Sequence, residues 1–371
     1  MLYLDHAATS FPKPEPVLAA MTHWYRELGV SSSRGSSHRC VEVAQIVQRA
    51  RRGVGSLCGT AADRVAFTSG ATESINLFLR AFLRPFDAVL TTAFEHSSVV
   101  RPLIALQRER NLRLTVLPPD ADLSLSTASV AAALQATKPR LFVFTHASNV
   151  TGALFDAAAF GQLARGCGAT TLLDASQTAG LVPIHGIADA VAFSAHKSLQ
   201  GPQGLGALCV RDGLDLAPQK QGGTGSSTAL AEHPVDWPLA FEAGTPNTPA
   251  ICGLAEALGL LPATRQRERY EAALAATLAL ESALRANPRI RVLTPSGARI
   301  PVLSFVHQDL EPADVGAVLD ALDIHVRTGH HCAPWLHHHL GTETSGTVRL
   351  SPGPDVTADD IQRVSAALAS A

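Results

Sequence analysis

Apolar and polar positions follow two periods that alternate along the first two thirds of the chain. PEPVLAAMTHWYREL (14–28) and HRCVEVAQIVQRARRGVGSL (38–57) carry apolar residues three and four apart and predict helices. RVAFTS (64–69) predicts a strand, ATESINLFLRAF (71–82) a helix, AVLTT (88–92) a strand, and VVRPLIALQRER (99–110) a helix beginning near Pro102. LRLTVLP, a helix near 127–136 and the strand RLFVFTHAS (140–148) continue the rhythm. The helix FDAAAFGQLARGCG, then ATTLLDAS, AVAFSAHK (190–197) and GALCVRD (206–212) as strands, extend it further. This order predicts an α/β domain with a mainly parallel sheet covered by helices on both faces. Runs such as LFVF, apolar on successive residues, suit strands buried on both sides.

After about residue 248 the pattern changes. A long Ala/Leu/Glu/Arg helix is expected over 248–287, then strands near 290–294 and 300–306, a helix near 312–322, short strands near 324–328 and 346–350, and a last helix from 357. The expected division is a large domain over 14–247 and a smaller α/β domain made of 1–13 and 248–371. The stretch 219–238 reads as an exposed loop.

Composition narrows the class. The 371 residues are 46% hydrophobic and 17% charged, enough apolar material for a large core and too ordered a composition for a disordered chain. A net charge of -2 gives no basic footprint for nucleic acid. No apolar run reaches the ~20 residues of a membrane span. The opening MLYLDHAATSFPKP does not read as a signal peptide, and the six cysteines form no CxxC pair, so a reducing cytoplasmic setting is expected.

Polar residues cluster at the predicted strand ends, where open α/β sheets bind ligands: His96, Asn149, Asp174 and Lys197. Taken singly each has two readings. Lys197, in SAHKSLQGPQG, is either a surface lysine or a Schiff-base lysine whose amine needs an enclosed pocket. Asp174 either caps a following helix or partners a pyridinium nitrogen, keeping a pyridoxal ring protonated as an electron sink; Gln177 could then serve the ring's phenolic oxygen. Thr72, in TSGATESIN, is either an ordinary residue of a helix start or part of a phosphate cradle. His96 could stack on a flat ring or be a satisfied polar residue.

The joint pattern resembles the class V aminotransferase branch of the fold type I pyridoxal-phosphate (PLP) enzymes, and within it the cysteine desulfurases and selenocysteine lyases. The matching stretches are YLDHAATSFPKP, SGATESIN, FEHSSVVRP, SNVTGAL, LLDASQTAG, FSAHKSLQGPQGLGAL, FEAGTPN, RTGHHCAP and GTVRLSPG, in that order from residue 3 to 353. The resemblance implies PLP as cofactor and the fold type I architecture. It implies Lys197 as the Schiff-base lysine, Asp174 and Gln177 as ring partners and His96 as the stacking and catalytic histidine. Ala71, Thr72, Ser194 and His196 would hold the phosphate, and Asn149 would contact substrate and cofactor. Thr245 would reach the phosphate of a neighbouring subunit, implying a homodimer. Arg327 and Arg349 would bind the substrate, Arg349 gripping its α-carboxylate as a planar bidentate donor.

Cys332, in RTGHHCAPW, bears on the reaction. It is either a buried structural cysteine or a nucleophile placed on a turn beside imidazoles. The resemblance implies the second: attack on the sulfur of L-cysteine, release of L-alanine, and a persulfide handed to a protein acceptor for iron–sulfur cluster or thio-cofactor assembly. The RTGHHCA wording is similar to the desulfurase group with a short, ordered cysteine loop, while HCAP and GTVR-SPG match a less characterised desulfurase-like subfamily. Selenocysteine lyase, cysteine-sulfinate desulfinase and another class V transferase are the alternatives with the same cofactor. A scaffold that only docks a sulfur-transfer partner has no need of Lys197, Asp174, His96, Arg349 and Cys332 together. The run His337, His338 and His339 shares no helix or strand face, so it is read as solvated surface or pocket rim and no metal is expected.

Overall fold

A computed structural model describes residues 1–32, 37–225 and 231–369. Its centre is a seven-stranded sheet in the order Val65–Thr68, Gly206–Val210, Ala190–Ser194, Thr170–Asp174, Leu141–Thr145, Ala88–Thr92, Arg113–Leu117. Neighbours from Ala190–Ser194 to the Arg113–Leu117 edge run parallel, and Gly206–Val210 is antiparallel to both strands beside it. Successive side chains leave opposite faces of a strand. Phe142 and Phe144 therefore enter one core, with Val43, Phe160 and Leu254. Leu141 and Val143 enter the other, with Phe78 and Leu103. Helices cover both faces, as the parallel pattern requires.

A second, four-stranded antiparallel sheet has the order Arg327–Gly329, Thr347–Leu350, Leu303–His307, Ile290–Leu293. Its core joins Leu303, Phe305, Val348 and Leu350 to Leu280, Val315 and Val364 from three helices. The N-terminal strand Leu2–Tyr3 pairs in parallel with Ile324–His325, and Leu2 and Leu4 enter this same core.

Three elements differ from the sequence expectation. The single helix expected over 248–287 is two, Thr248–Gly259 and Ala263–Arg285, because Pro262 cannot continue the first and instead starts the second. The first of them buries Ala250, Ile251 and Leu254 in the core of the large sheet, so a cut before residue 248 separates it from the residues it packs on. The helix expected to begin near Pro102 begins at Ser97, with Pro102 inside it; the His96 side chain supplies the cap and extends the element by more than a turn. The histidine run lies on a short helix, Pro334–Leu340: His338 and His339 are exposed, but His337 is buried and its Nδ1 meets Thr342 Oγ1 at 2.8 Å. The loop expected over 219–238 is mostly exposed where described, and residues 226–230 lie outside the described residues.

The two units are joined by backbone as much as by apolar contact. Ser304 Oγ donates to Val150 O at 2.7 Å, and Ile300 N donates to Gly152 O at 2.8 Å. Gly152 has φ +79°, and a Cβ there would overlap the Val302 carbonyl oxygen. Beneath the join, the fully buried Glu95 ties two strand ends together. Its Oε1 accepts from Thr92 Oγ1 at 2.6 Å and Thr145 N at 3.0 Å, while Oε2 has no partner. Burial, the largest cause, pushes its pKa up to about 8, against those hydrogen bonds and with a further push from Asp174.

Two outcomes follow from this packing. Gly152→Ala loses about 2–4 kcal/mol in chemical denaturation, since left-handed strain and overlap add, whereas exposed Gly166→Ala is neutral or stabilising. Glu95 has a folded pKa above its unfolded value, so its contribution is complete below about pH 4.5 and is lost progressively as pH rises towards about 8. Glu95→Gln therefore flattens the fall in unfolding free energy over that window; an unchanged slope would show that the carboxyl is ionised in the fold.

Candidate active site

The carboxyl ends of four adjacent parallel strands open into a cavity of about 240 Å³, closed on its other side by the smaller sheet. The strand Ala190–Ser194 delivers Ser194, His196 and Lys197; Thr170–Asp174 delivers Asp174 and Gln177; Leu141–Thr145 leads to Asn149; Ala88–Thr92 leads to His96. Ala71 and Thr72 come from the first turn of the helix Ala71–Phe82, and Arg327, Cys332 and Arg349 from the smaller unit. Twelve of the thirteen residues singled out from sequence thus line one cavity. Thr245 does not: it lies in a separate depression of about 210 Å³ with Glu73, Gly204 and Lys220.

At one end the cavity is built for an anion. Gly70 precedes the helix Ala71–Phe82 with φ +153°, and Gly206 packs so tightly on it that a Cβ would overlap its backbone. Ala71 N donates to Ser194 Oγ at 2.9 Å, fixing that hydroxyl at the helix start. His196 Nδ1 is buried without a partner. Burial, then Lys197 and Lys13, lower the His196 pKa to about 4, so the ring is neutral at pH 7.

Lys197 and Asp174 face the middle of the cavity. Burial pulls the Lys197 pKa down to about 8, opposed by the charge of Asp174. The carbonyl of His196, next to Lys197, accepts from Lys13 Nζ at 2.6 Å, Ser10 N at 3.0 Å and Thr9 Oγ1 at 3.1 Å, so the N-terminal segment straps the lysine in place. Asp174 is 4% exposed, and one oxygen accepts from Ser176 N at 2.9 Å. Gln177 Nε2 donates to Ala7 O at 3.1 Å. His96 Nδ1 accepts from Ser98 N at 3.0 Å, which leaves the proton on Nε2; burial first, then Lys197, lower its pKa to about 4. A neutral ring, a carboxylate, a readily deprotonated amine and an anion cradle with an unpartnered imidazole nitrogen fit a planar, phosphorylated aldehyde such as PLP.

The opposite end carries Cys332 and the arginines. His331 and Cys332 have φ +47° and +57°, and Cys332 is exposed. The His331 carbonyl accepts from Asn149 Nδ2 at 2.6 Å and the Cys332 carbonyl from Ser97 N at 2.7 Å. Arg349 is 2% exposed and pairs with Asp5 at 2.6 Å; Arg327 is half-exposed. The sequence reading missed Asp5, Glu95, Ser97 and the buried His331, which hold the expected residues rather than carry their chemistry. DH in YLDHAAT and EH in FEHSSVV, a charged residue inside an otherwise apolar stretch, were the available signals.

Known proteins resemble this chain over nearly its whole length. The probable cysteine desulfurase of Methanothermobacter thermautotrophicus is 32% identical over 97% of this chain and 92% of its own length. The cysteine desulfurase of Pectobacterium carotovorum subsp. carotovorum is 33% identical over 99% and 92%. Among solved structures, the apo cysteine desulfurase of Thermococcus onnurineus NA1 superposes with a TM-score of 0.92 at 27% identity, covering 100% of this chain and 94% of that one. The Escherichia coli cysteine desulfurase CsdA, in its S-sulfonic acid form, gives 0.85 at 26% identity, covering 99% and 94%. The class V aminotransferase family matches residues 2–364, and the chain belongs to that family of PLP-dependent enzymes, with their fold type I architecture.

Proposed function

We propose that the protein is a PLP-dependent cysteine desulfurase that converts L-cysteine to L-alanine and carries the sulfur as a persulfide on Cys332. The observation that supports it most directly is the placement of Cys332, exposed on a backbone held by Ser97 and Asn149, in the same cavity as Lys197. In this reading Lys197 holds PLP, Asp174 and Gln177 meet its ring, His96 stacks on it, and Ala71, Thr72, Ser194 and His196 cradle its phosphate. Bound PLP supplies the electron sink that lets the substrate α-proton leave. Arg349 and Arg327 orient the substrate carboxylate, with Asn149 beside them. Lys197 Nζ, freed when the substrate amine takes its place, accepts the α-proton, and the Cys332 Sγ thiolate attacks the substrate sulfur. The Cβ–S bond breaks with its electron pair left on carbon, a proton returns there, and Cys332 keeps the sulfur as Cys–S–SH.

Thr245 lies outside the cavity, in the depression beside Glu73 and Lys220. That suits a residue that reaches the phosphate of a second copy, so the working unit is a homodimer. The exposed Cys332 suits delivery to a protein acceptor serving iron–sulfur cluster assembly in a reducing cytoplasm. Among the described residues no helix is long and apolar enough to cross a membrane.

Single-turnover alanine from L-cysteine tests the reaction: Cys332→Ser lowers it by more than about 10³-fold while visible absorbance shows the cofactor still bound. A cofactor-loaded wild type that forms no alanine, even with reductant, sinks the proposal. Capture of PLP by apoprotein tests Lys197. Its rate rises with pH as the amine loses its proton and levels off just above pH 8, where an ordinary lysine would still be rising towards 10.5. Asp174→Asn removes the opposing charge and moves that plateau to lower pH; a plateau unmoved or raised counts against the assignment.

A further inference from the structure

A second, smaller cavity lies against the N-terminal segment. It has a volume of about 40 Å³, is lined by His6, Ser10 and Arg269, and shares Ala7, Gln177 and Lys197 with the PLP cavity. Positive charge gathers around it that the protein does not neutralise. Arg269, on the helix Ala263–Arg285, is half-buried, and its guanidinium donates to a neutral carbonyl, Ser198 O, at 3.3 Å. Lys13 Nζ likewise meets neutral oxygens: His196 O at 2.6 Å, Ser10 Oγ at 2.7 Å and Thr9 Oγ1 at 3.4 Å. Neither cation has an ion-pair partner among the described residues. Asp355 attracts Arg269 from beyond ion-pair distance and is itself exposed. Burial pulls the Lys13 pKa down to about 8. Burial first, then Arg269, lower that of His6 to about 4, so the His6 ring is neutral at pH 7.

We propose that this cavity binds one compact monovalent inorganic anion, such as chloride, held by the Arg269 guanidinium beside His6 and Ser10, with Lys13 behind the Ser10 hydroxyl. Cations drawn partly out of water without a counter-charge are costly, and a small anion between them removes that cost. Size sets the class. A cavity needs about 10–15 Å³ to hold one water, so this one takes a few waters or a single ion and no metabolite with a carbon skeleton. Position gives the ion a task. It stands between the helix that carries Arg269 and residues 6–13, the segment that closes on the carbonyl next to Lys197. Bound there, the ion fastens that segment. The site is separate from Arg327 and Arg349, and it does not rest on the desulfurase reading.

The width of the chloride line in chlorine NMR, measured on the PLP-loaded protein with saturating L-alanine, tests this without turnover. L-alanine covers Arg327 and Arg349, and any chloride left there contributes equally to wild type and variant. Wild type broadens the line, bromide at equal ionic strength reverses the broadening, and Arg269→Gln loses most of it. Broadening absent from wild type, or equal in Arg269→Gln, overturns the proposal. The unfolding midpoint gives a second reading that needs no variant. Replacing gluconate, too large for the cavity, by chloride at constant ionic strength raises the wild-type Tm by about 1–3 °C and then saturates. No rise, or a rise that keeps growing with chloride, is a surface-salt effect and overturns the proposal. If Arg269→Gln does not fold, this measurement decides alone.

Discussion

The arrangement depends on hydrogen bonds from large-unit and small-unit side chains onto backbone carbonyls across the cavity. Ser304 reaches Val150 O, Asn149 reaches His331 O, and Ser97 reaches Cys332 O from side chain and backbone. A carbonyl buried at a join must find a donor, and each of these finds one from the opposite unit. The consequence is positional. Cys332 sits on two successive left-handed residues, a conformation costly for non-glycine side chains, and it is retained because the carbonyls on both residues are pinned. Cys332 is thus placed by the large sheet although the chain delivers it from the small one.

Buried charge is handled in three different ways around the same space. Asp174 accepts hydrogen bonds from Ser176. Arg349 is paired with Asp5. Glu95 is kept neutral by burial, and His96, His196 and His331 likewise. Few of the groups lining the cavity therefore carry charge at pH 7: Lys197 and Asp174 do so at its middle and Arg327 and Arg349 at one end, while the other end offers neutral hydrogen-bonding groups. A ligand with a phosphate at one end and a carboxylate at the other meets neutral hydrogen-bonding groups at the first and guanidinium charge at the second.

Much of this was legible in the sequence because a parallel sheet converts sequence into place. The residues after four apolar runs fall at one edge, so His96, Asn149, Asp174 and Lys197 could be gathered before any coordinates. What was not legible depends on contacts between distant parts of the chain. Asp5 meets Arg349 across 344 positions, and no local pattern marks such a pair. The start of the helix at Ser97 is masked by Pro102, which has the form of a first-turn proline, while the cap is a histidine that also lines the cavity. The break at Pro262 was written in the sequence and overridden by the strong helix formers around it. His337 shares the local pattern of its solvated neighbours, yet the helix turns it inward onto Thr342 and leaves the other two outside.

The strap formed by the first residues has a bearing on how the molecule is made. Tyr3 stacks on His325, Asp5 bridges Ser351, and Thr9, Ser10 and Lys13 close on the carbonyl beside Lys197. Residues 2–13 are synthesised long before the strand Thr347–Leu350, and Asp5 is seated on the residue that follows that strand, so the strap closes through contacts of very long sequence separation. Until then the lysine lacks its clamp and the arginine its counter-charge. Completion of this centre therefore waits on contacts between residues far apart in the chain, which places it late in folding.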